Sequence, residues 1–258
     1  QKQVTRLEYP YEKTTKIVAK NSRLGQSVTG VLQASDKQLS WMSPVYEYLS
    51  GLDEEYSAKH NLPKSVRLTT IQPSGTLSLL PGVTPGVHPA YARYYIRRVR
   101  FRSTDPLVEA CRQRGYKVQW DVGLDGQKDR TSQVVEFPCE SPKDAILASE
   151  VSAVDQLEWI KRLQTEWADN AVSVTVYYKM GELPEIQEWL KKNYKNSIKS
   201  VSFLLHTDHN FPLPPYEEIT EEEYEKSLAS VNLSVPLVAV GSDSVVFDDC
   251  NTGACPVR

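Results

Sequence analysis

Apolar positions along the chain form two patterns, and each pattern predicts a different kind of element. A spacing of three or four residues predicts a helix, and a run of β-branched residues bounded by turn residues predicts a strand. The predicted helices cover residues 36–60, 151–168 and 183–194. The predicted strands cover residues 66–72, 172–178 and 198–205. Because strand and helix alternate over residues 151–205, this part is expected to form βαβ units in a mostly parallel sheet.

Prolines and capping residues predict where several elements begin or break. Pro44 falls inside the helix predicted over 36–60, and we expect it to kink or divide that helix. The run YYIRRVRF, residues 94–101, predicts another strand, and Asp105 followed by Pro106 predicts the start of a helix. Thr220 and Glu223 have the spacing of a capping box, which predicts one further short helix.

Composition and charge exclude several classes of protein. The 258 residues are 40% hydrophobic and 24% charged with a net charge of -3, which allows one large or two small α/β domains and gives no basic field for nucleic acid. No apolar run reaches the roughly 18 residues of a membrane span, and residues 1–20 lack the apolar centre of a signal peptide. Four cysteines are too few for a secreted disulfide scaffold, so we expect a cytoplasmic protein.

The segment PSGTLS, residues 73–78, follows the strand predicted over 66–72. Small hydroxyl residues beside glycine let backbone N–H groups approach an anion closely, and a helix start that follows would add a favourable dipole. The segment lacks the lysine of a P-loop and the glycine spacing of a dinucleotide fingerprint. The residues alone therefore leave two interpretations open, a phosphate cradle and a tight turn with Ser and Thr caps.

Cys250 and Cys255 form a close pair in the terminal segment DDCNTGACPVR. A dithiol on a short flexible segment can close to a disulfide and reopen by exchange. A Cys₂His₂ zinc site with His206 and His209 is an alternative, although these spacings are unlike those of zinc fingers. Two thiols without a function are the third interpretation. We expect no metal ion.

Four other features have a structural interpretation and a functional one. Cys139 in EFPCE and Cys111 on the helix after Pro106 are expected to be a strand-end residue and a core residue. The arginines from Arg93 to Arg102 could bind nucleotide or nucleic acid, but a solvated strand face paired with carboxylates is favoured. His88 has two possible roles, lining a site or packing a loop, and the sequence does not distinguish them.

Taken together, these residues resemble a known family. The segment RLTTIQPSGTLSLLPGVTPGVHPAYARYYIRRVRF, residues 67–101, closely resembles the phosphate-binding region of adenosylcobalamin-dependent (class II) ribonucleoside-triphosphate reductases. NSRLGQSVTGV, residues 21–31, WADNAVSVTVYYK, residues 167–179, and CNTGACPVR at the end of the chain are similar to other segments of that family. The likeness extends over essentially the whole chain.

The resemblance implies a fold, a reaction and partners. The fold would be the C-terminal half of a ten-stranded α/β barrel over residues 1–239, followed by a mobile redox tail over residues 240–258. The family reduces the 2′-hydroxyl of ribonucleotides with a thiyl radical generated by adenosylcobalamin. Cys250 and Cys255 would carry electrons from thioredoxin or a similar dithiol to the active site. The residues implied to hold the substrate triphosphate are Ser74, Gly75, Thr76, Leu77 and Ser78.

One departure from the family pattern limits this expectation. The family's radical loop carries Asn-Pro-Cys-Gly-Glu, and this sequence contains no such string. In the family that loop precedes the region matched by residues 21–31, so we expect it, with most cobalamin contacts, in a missing N-terminal portion, and we expect this chain alone to be inactive. The alternatives are a stand-alone thiol-disulfide oxidoreductase and a nucleotide-binding module that does not reduce nucleotides.

Overall fold

The fold of the protein is described from a computed structural model. The structure describes residues 1–75, 77–123, 125–206 and 212–235. The helices, in chain order, are α1 Glu12–Asn21, α2 Asp36–Leu39, α3 Met42–Lys59, α4 Pro106–Gln113, α5 Ala153–Glu166, α6 Leu183–Ser197 and α7 Glu221–Ala229. The strands are β1 Gln26–Ser27, β2 Thr69–Thr70, β3 Tyr94–Arg102, β4 Lys117–Val122, β5 Lys128–Glu140, β6 Thr175–Tyr178, β7 Ser202–Leu205 and β8 Tyr216–Glu218.

The chain divides into two compact units. The first contains residues 1–90 and 144–206, and the second contains residues 91–143 together with the chain from residue 207 onwards. The predicted boundary between residues 239 and 240 lies outside the described residues and stays a prediction. No helix in the described part of the chain has the length and apolar character needed to cross a membrane.

The first unit has helices packed on parallel strands, as the alternating pattern predicts. β1 pairs with β2 and β6 pairs with β7, both in parallel. A parallel bridge between Ile71 and Val172 joins the two pairs side by side. The core between strands and helices includes the fully buried side chains of Ile71, Leu157, Ile160 and Val176. The predicted parallel βαβ arrangement is therefore confirmed for β6, α6 and β7.

The helix predicted over 36–60 is divided, but not at the expected residue. The break lies at Ser40 and Trp41, between α2 and α3. Pro44 lies in the first turn of α3, where the missing N–H leaves no intrahelical bond unmade and proline is tolerated. The prediction of a division was right and its position was wrong by a few residues.

The second unit is built on an antiparallel sheet with the strand order β4-β5-β3-β8. Its long central pair aligns Tyr95 with Cys139 and Val99 with Val135. Neighbouring side chains on a strand point to opposite faces, and Val134 and Val135 are both fully buried. Both faces of the sheet are therefore covered at this point. The strand predicted over 94–101 is confirmed as β3, and Asp105 caps α4 by accepting from the Leu107 N–H at 2.9 Å.

Candidate functional site

The segment with the predicted phosphate-binding residues leaves the parallel sheet directly after β2. Ile71, at the end of β2, is fully buried and anchors the start of a loop formed by residues 73–89. The described residues of the loop contain one short 3₁₀ turn, Leu77–Leu79, and form no other helix and no strand. This placement agrees with the prediction that residues 73–78 follow a strand.

The described members of the predicted site lie in one tight turn. Ser74 has a φ of 49°, a left-handed conformation that is uncommon for a residue with a side chain and is often found at ligand clamps. Ser78 is fully buried, and its hydroxyl donates to the Ser74 carbonyl. Its N–H donates to the same carbonyl at 3.3 Å. The Ser78 hydroxyl therefore shapes the turn.

The backbone of this turn offers donors to a ligand. The N–H groups of Ser74, Gly75 and Leu77 donate to no other residue in the described part of the chain. The Leu77 side chain is 72% exposed, so it leaves the turn open to solvent. Thr76 lies outside the described residues, and its predicted role stays a prediction. Neighbouring free N–H groups in such a turn form a concave site for an anion.

A second segment, for which the sequence predicted no role at this site, contacts both ends of the loop. Ser27 Oγ accepts from the Gln72 N–H at 2.9 Å, where the loop starts. Thr29 Oγ1 accepts from the Gly86 N–H at 2.9 Å and donates to the Thr84 carbonyl at 3.0 Å, where the loop ends. Gln33 Oε1 accepts from the Thr84 N–H at 2.8 Å. We call Ser27, Thr29 and Gln33 the loop clamp.

His88 connects the loop to β6, which resolves the interpretation that the sequence left open. Its Nε2 accepts from the Thr175 N–H at 3.1 Å, so this nitrogen carries no proton. Its Nδ1 lies 3.0 Å from the Pro85 carbonyl and must be the protonated nitrogen. Burial lowers the pKa of His88 below its ordinary value, and the bond to Pro85 opposes this only in part. His88 is a neutral packing residue of the loop.

We expect His88 to stay neutral through the physiological range. Its imidazole should titrate with a midpoint below the ordinary value of about 6.5 and show the Nδ1–H tautomer at pH 7. The unfolded chain takes up this proton first as the pH falls, so His88 opposes folding increasingly from about pH 6.5 down to its folded pKa. Side-chain ¹⁵N spectra, assigned with His88→Gln, measure both quantities. A midpoint above the ordinary value would contradict the assignment.

The terminal cysteine pair lies outside the described residues, so its predicted roles stay predictions. The same holds for His209, and three of the four ligands of the alternative zinc site are therefore untested. Among the residues that the structure describes, no group of three or more His, Cys, Asp or Glu side chains could hold a metal ion.

The two remaining cysteines occupy the predicted structural positions. Cys111 is buried on α4, and Cys139 is half-buried near the end of β5. Burial raises the pKa of both thiols above their ordinary value. Raised pKa values keep both as thiols at neutral pH, which makes them poor nucleophiles.

The arginine run on β3 is paired with protein groups, as favoured from the sequence. Arg98 contacts Glu136 at 3.0 Å, and both side chains are 8% exposed. The pairing with a carboxylate is as predicted, but the pair is buried, whereas the sequence favoured a solvated face. The other contacts are Arg98 with Glu217, Arg100 with Asp121, Arg93 with the Pro142 carbonyl and Arg97 over the Tyr216 ring. Four of the arginines therefore have partners within the protein, and their positions are explained without a nucleic-acid ligand.

Comparisons with known proteins place this site in a familiar context. The family model described as "Ribonucleotide reductase, barrel domain" matches residues 52–204, which include the 73–89 loop. An adenosylcobalamin-dependent ribonucleoside-triphosphate reductase of Levilactobacillus brevis is 32% identical over 100% of this chain and 39% of its own length. A probable enzyme of the same name from Dictyostelium discoideum is 35% identical over 84% of this chain and 29% of its own length.

A solved structure agrees with the sequence comparisons. A B-12 dependent (class II) ribonucleotide reductase superimposes with a TM-score of 0.74 and 28% identity, over 90% of this chain and 36% of that chain. The predicted α/β fold of the class II reductase barrel is thereby confirmed. The chain spans 39% of the length of the Levilactobacillus brevis relative. The match over residues 52–204 covers more than half of the 258 residues, and the chain belongs to the ribonucleotide reductase family.

Proposed function

We propose that this chain supplies two parts of a cytoplasmic enzyme that reduces ribonucleoside triphosphates to 2′-deoxyribonucleoside triphosphates. The first part is the 73–89 loop, which binds the substrate phosphates. The second is the pair Cys250 and Cys255, which delivers electrons. Because the relatives carry this activity on chains of which this one spans 39%, turnover requires the remaining portion of the enzyme as a partner.

The observation that carries the proposal is the geometry of the 73–89 loop inside the matched barrel domain. The N–H groups of Ser74, Gly75 and Leu77, which have no acceptor among the described residues, lie in one turn that is open to solvent. Backbone donors held in a fixed concave arrangement favour a phosphate over a neutral ligand. The loop presents no lysine among residues 73–78, so we assign phosphate recognition to the backbone, with Thr76 as an additional hydroxyl donor.

The chemistry of the reaction also needs a radical source. The relatives are named as adenosylcobalamin-dependent, and adenosylcobalamin supplies radical chemistry in the enzymes that bind it. Two cavities lined by described residues of the first unit have volumes of about 170 and 320 Å³. Pockets for drug-sized ligands take about 300–1,000 Å³, and a corrinoid is larger than such ligands. Neither cavity offers the room that a corrinoid needs, and we assign the cofactor to the remaining portion of the enzyme.

The proposed role of Cys250 and Cys255 is disulfide exchange. Reduction of one ribonucleotide consumes two electrons and leaves a disulfide in the active site. One thiolate of the pair attacks that disulfide, and the second thiolate resolves the mixed disulfide. The active site recovers two thiols, and the pair becomes a disulfide. Thioredoxin or a similar dithiol then returns two electrons to the pair.

Complementation tests the proposal. The chain is combined with the N-terminal portion of a class II relative, and deoxynucleotide formation is measured with adenosylcobalamin and thioredoxin. A Cys250→Ser, Cys255→Ser variant is expected to lose turnover with thioredoxin but to retain it with a small dithiol, which reaches the active site directly. Cys111→Ser serves as the control, because that thiol is buried on α4.

Two outcomes would contradict the proposal. No turnover from a folded complex would leave a nucleotide-binding module or a separate thiol oxidoreductase as the better account. Equal loss with thioredoxin and with the small dithiol would show that the pair does not act as a shuttle.

A further inference from the structure

We propose that the loop clamp is a positioning device, in which Ser27, Thr29 and Gln33 fix the shape of the phosphate-binding turn without contacting the substrate. The inference rests on the proposed function, since the turn is taken as the phosphate site. It assigns a role to residues 27–33, which lie outside the 73–78 motif and the family match over residues 52–204; the resemblance of residues 21–31 to the family implied no role for these side chains.

The two ends of the loop meet at one point. Gly86 has a φ of 55°, and a Cβ built on it would lie 2.2 Å from the Gln72 carbonyl oxygen. The chain therefore leaves the sheet at Gln72 and returns at Gly86 through direct backbone contact. A loop with ends this close takes its shape from the groups that hold those ends.

Side chains of the clamp form hydrogen bonds with both ends of the loop. Thr29 is the central member, because its one hydroxyl proton goes to the Thr84 carbonyl and its lone pair takes the Gly86 N–H. Backbone groups reinforce this contact, since Gly30 N–H donates to the Thr84 carbonyl at 2.9 Å and Val31 N–H donates to the Gly86 carbonyl at 3.1 Å. The end of the loop is thus tied to residues 29–33.

Ser27 completes the clamp at the start of the loop. Its Oγ accepts from the Gln72 N–H at 2.9 Å, and Ser27 itself lies on β1, paired with Thr70 of β2. The start of the loop is therefore attached to the sheet through Ser27. The end of the loop is attached to Thr29, two residues later in the same segment. A change in either contact rotates the turn that carries Ser74 and Gly75 relative to the sheet.

This geometry matters because backbone donors cannot adjust by changing rotamer. A misplacement of about 1 Å in a binding group can reduce function about 100-fold, and such groups need supporting contacts to hold them. We therefore expect the Thr29 hydroxyl to act on phosphate affinity through the loop. The two chemical demands on it, one donor and one acceptor, can be met by serine but not by valine.

Three single substitutions test the shape of the loop in the full chain. Thr29→Val removes the hydroxyl at constant shape, and Thr29→Ser keeps it. Thr14→Val is the control substitution, because Thr14 is exposed on α1 and lies outside both the loop and the clamp. Hydrogen exchange of the Gly86, Ser78 and Val83 amides is expected to rise about tenfold in Thr29→Val, the equivalent of one lost hydrogen bond, and to stay unchanged in the other two variants.

Binding gives the second readout. Affinity for inorganic triphosphate and for cytidine triphosphate is expected to fall about tenfold in Thr29→Val and to recover in Thr29→Ser. Unchanged exchange in Thr29→Val would overturn the inference whatever the affinity. Faster exchange with unchanged triphosphate affinity would overturn the link between clamp and ligand. No triphosphate binding by the unsubstituted chain would instead contradict the proposed function, and the exchange data would still decide whether the clamp sets the loop's shape.

Discussion

Replacing Asp53 with asparagine is expected to lower the free energy of unfolding by about 3–5 kcal/mol, the usual effect of breaking a buried ion pair. Asp53 lies on the inner face of α3, where its carboxylate meets the Lys2 ammonium at 3.0 Å. The two side chains are only 4% and 9% exposed. Asparagine would leave the Lys2 charge buried without a counter-charge.

Hydrogen bonds hold the Lys2 and Asp53 ion pair in one defined geometry. Lys2 donates to Asp53, to the Pro63 carbonyl at 2.8 Å and to Ser65 Oγ at 2.7 Å, which uses all three ammonium protons. Asp53 also accepts from the Ser65 N–H at 2.7 Å and from its hydroxyl at 2.8 Å. The pair therefore joins the segment before α1, helix α3 and the chain leading into β2.

The pH dependence of this effect has a defined sign. Burial by itself raises the pKa of Asp53, but the hydrogen bonds from Ser65 and Lys2 and the Lys2 charge outweigh it, so the pKa lies below its ordinary value. The stabilisation is therefore present above the unfolded pKa of about 3.9 and is lost as the pH falls through the folded pKa. The difference in the free energy of unfolding between the unsubstituted chain and Asp53→Asn should therefore shrink only at acidic pH.

Urea unfolding followed by tryptophan fluorescence measures this change. The first unit holds Trp41, Trp159, Trp167 and Trp189, four of the five tryptophans. Asp36→Asn is the control, since the Asp36 side chain is 99% exposed and surface changes stay within about 0.5 kcal/mol. A loss below about 1 kcal/mol for Asp53→Asn would show that the pair is not buried as described.

Elements with local signals could be predicted from the sequence. Asp105 and Pro106 start α4, and Thr220 with Glu223 starts α7 through a capping box. Such caps depend on residues no more than three positions apart, so the sequence shows all of their determinants. Strand ends were overestimated, because β2 keeps ladder pairing only at Thr69 and Thr70. Pairing depends on the partner strand, and residues 66–72 alone do not show where that partner ends.

The antiparallel unit was recognised only in part. β3 was predicted, but β4 and most of β5 were not, because the charged and polar residues 128–133 interrupt the apolar alternation. A usable signal was present: Val118, Trp120 and Val122 alternate before Asp125-Gly126, and such a dipeptide between strands favours a hairpin. The helix Glu12–Asn21 was also missed; it buries no side chain, so no apolar stripe marks it.

The candidate site shows the same division between local and distant determinants. The turn at residues 73–78 could be recognised because glycine, serine and threonine adjoin one another. The loop clamp could not, because Thr29 meets Thr84 and Gly86 across 55 and 57 residues. A threonine hydroxyl with two distant backbone partners looks like any exposed threonine in the sequence. Only the folded chain shows that it is used.

Gly86→Ala is expected to reduce triphosphate affinity about 100-fold, the effect of displacing a binding group by about 1 Å. The new Cβ would lie 2.2 Å from the Gln72 carbonyl oxygen and 3.3 Å from the Ile71 Cγ2 atom. The carbonyl is backbone and cannot rotate away, so the two ends of the loop must separate. The left-handed φ of 55° adds strain of about 1–2 kcal/mol for any residue with a Cβ.

Gly82→Ala separates these two causes. Gly82 lies in the same loop with a φ of 72°, but a Cβ there would meet nothing within 4 Å. It should therefore show the strain of about 1–2 kcal/mol without the collision, and its triphosphate affinity should stay within a few-fold of the unsubstituted chain. Calorimetric titration with cytidine triphosphate, beside amide exchange over residues 77–86, measures both variants. If the two variants bind alike, contact between the ends of the loop does not control the phosphate site; if only Gly86→Ala loses affinity, that contact sets the shape of the turn that binds the triphosphate.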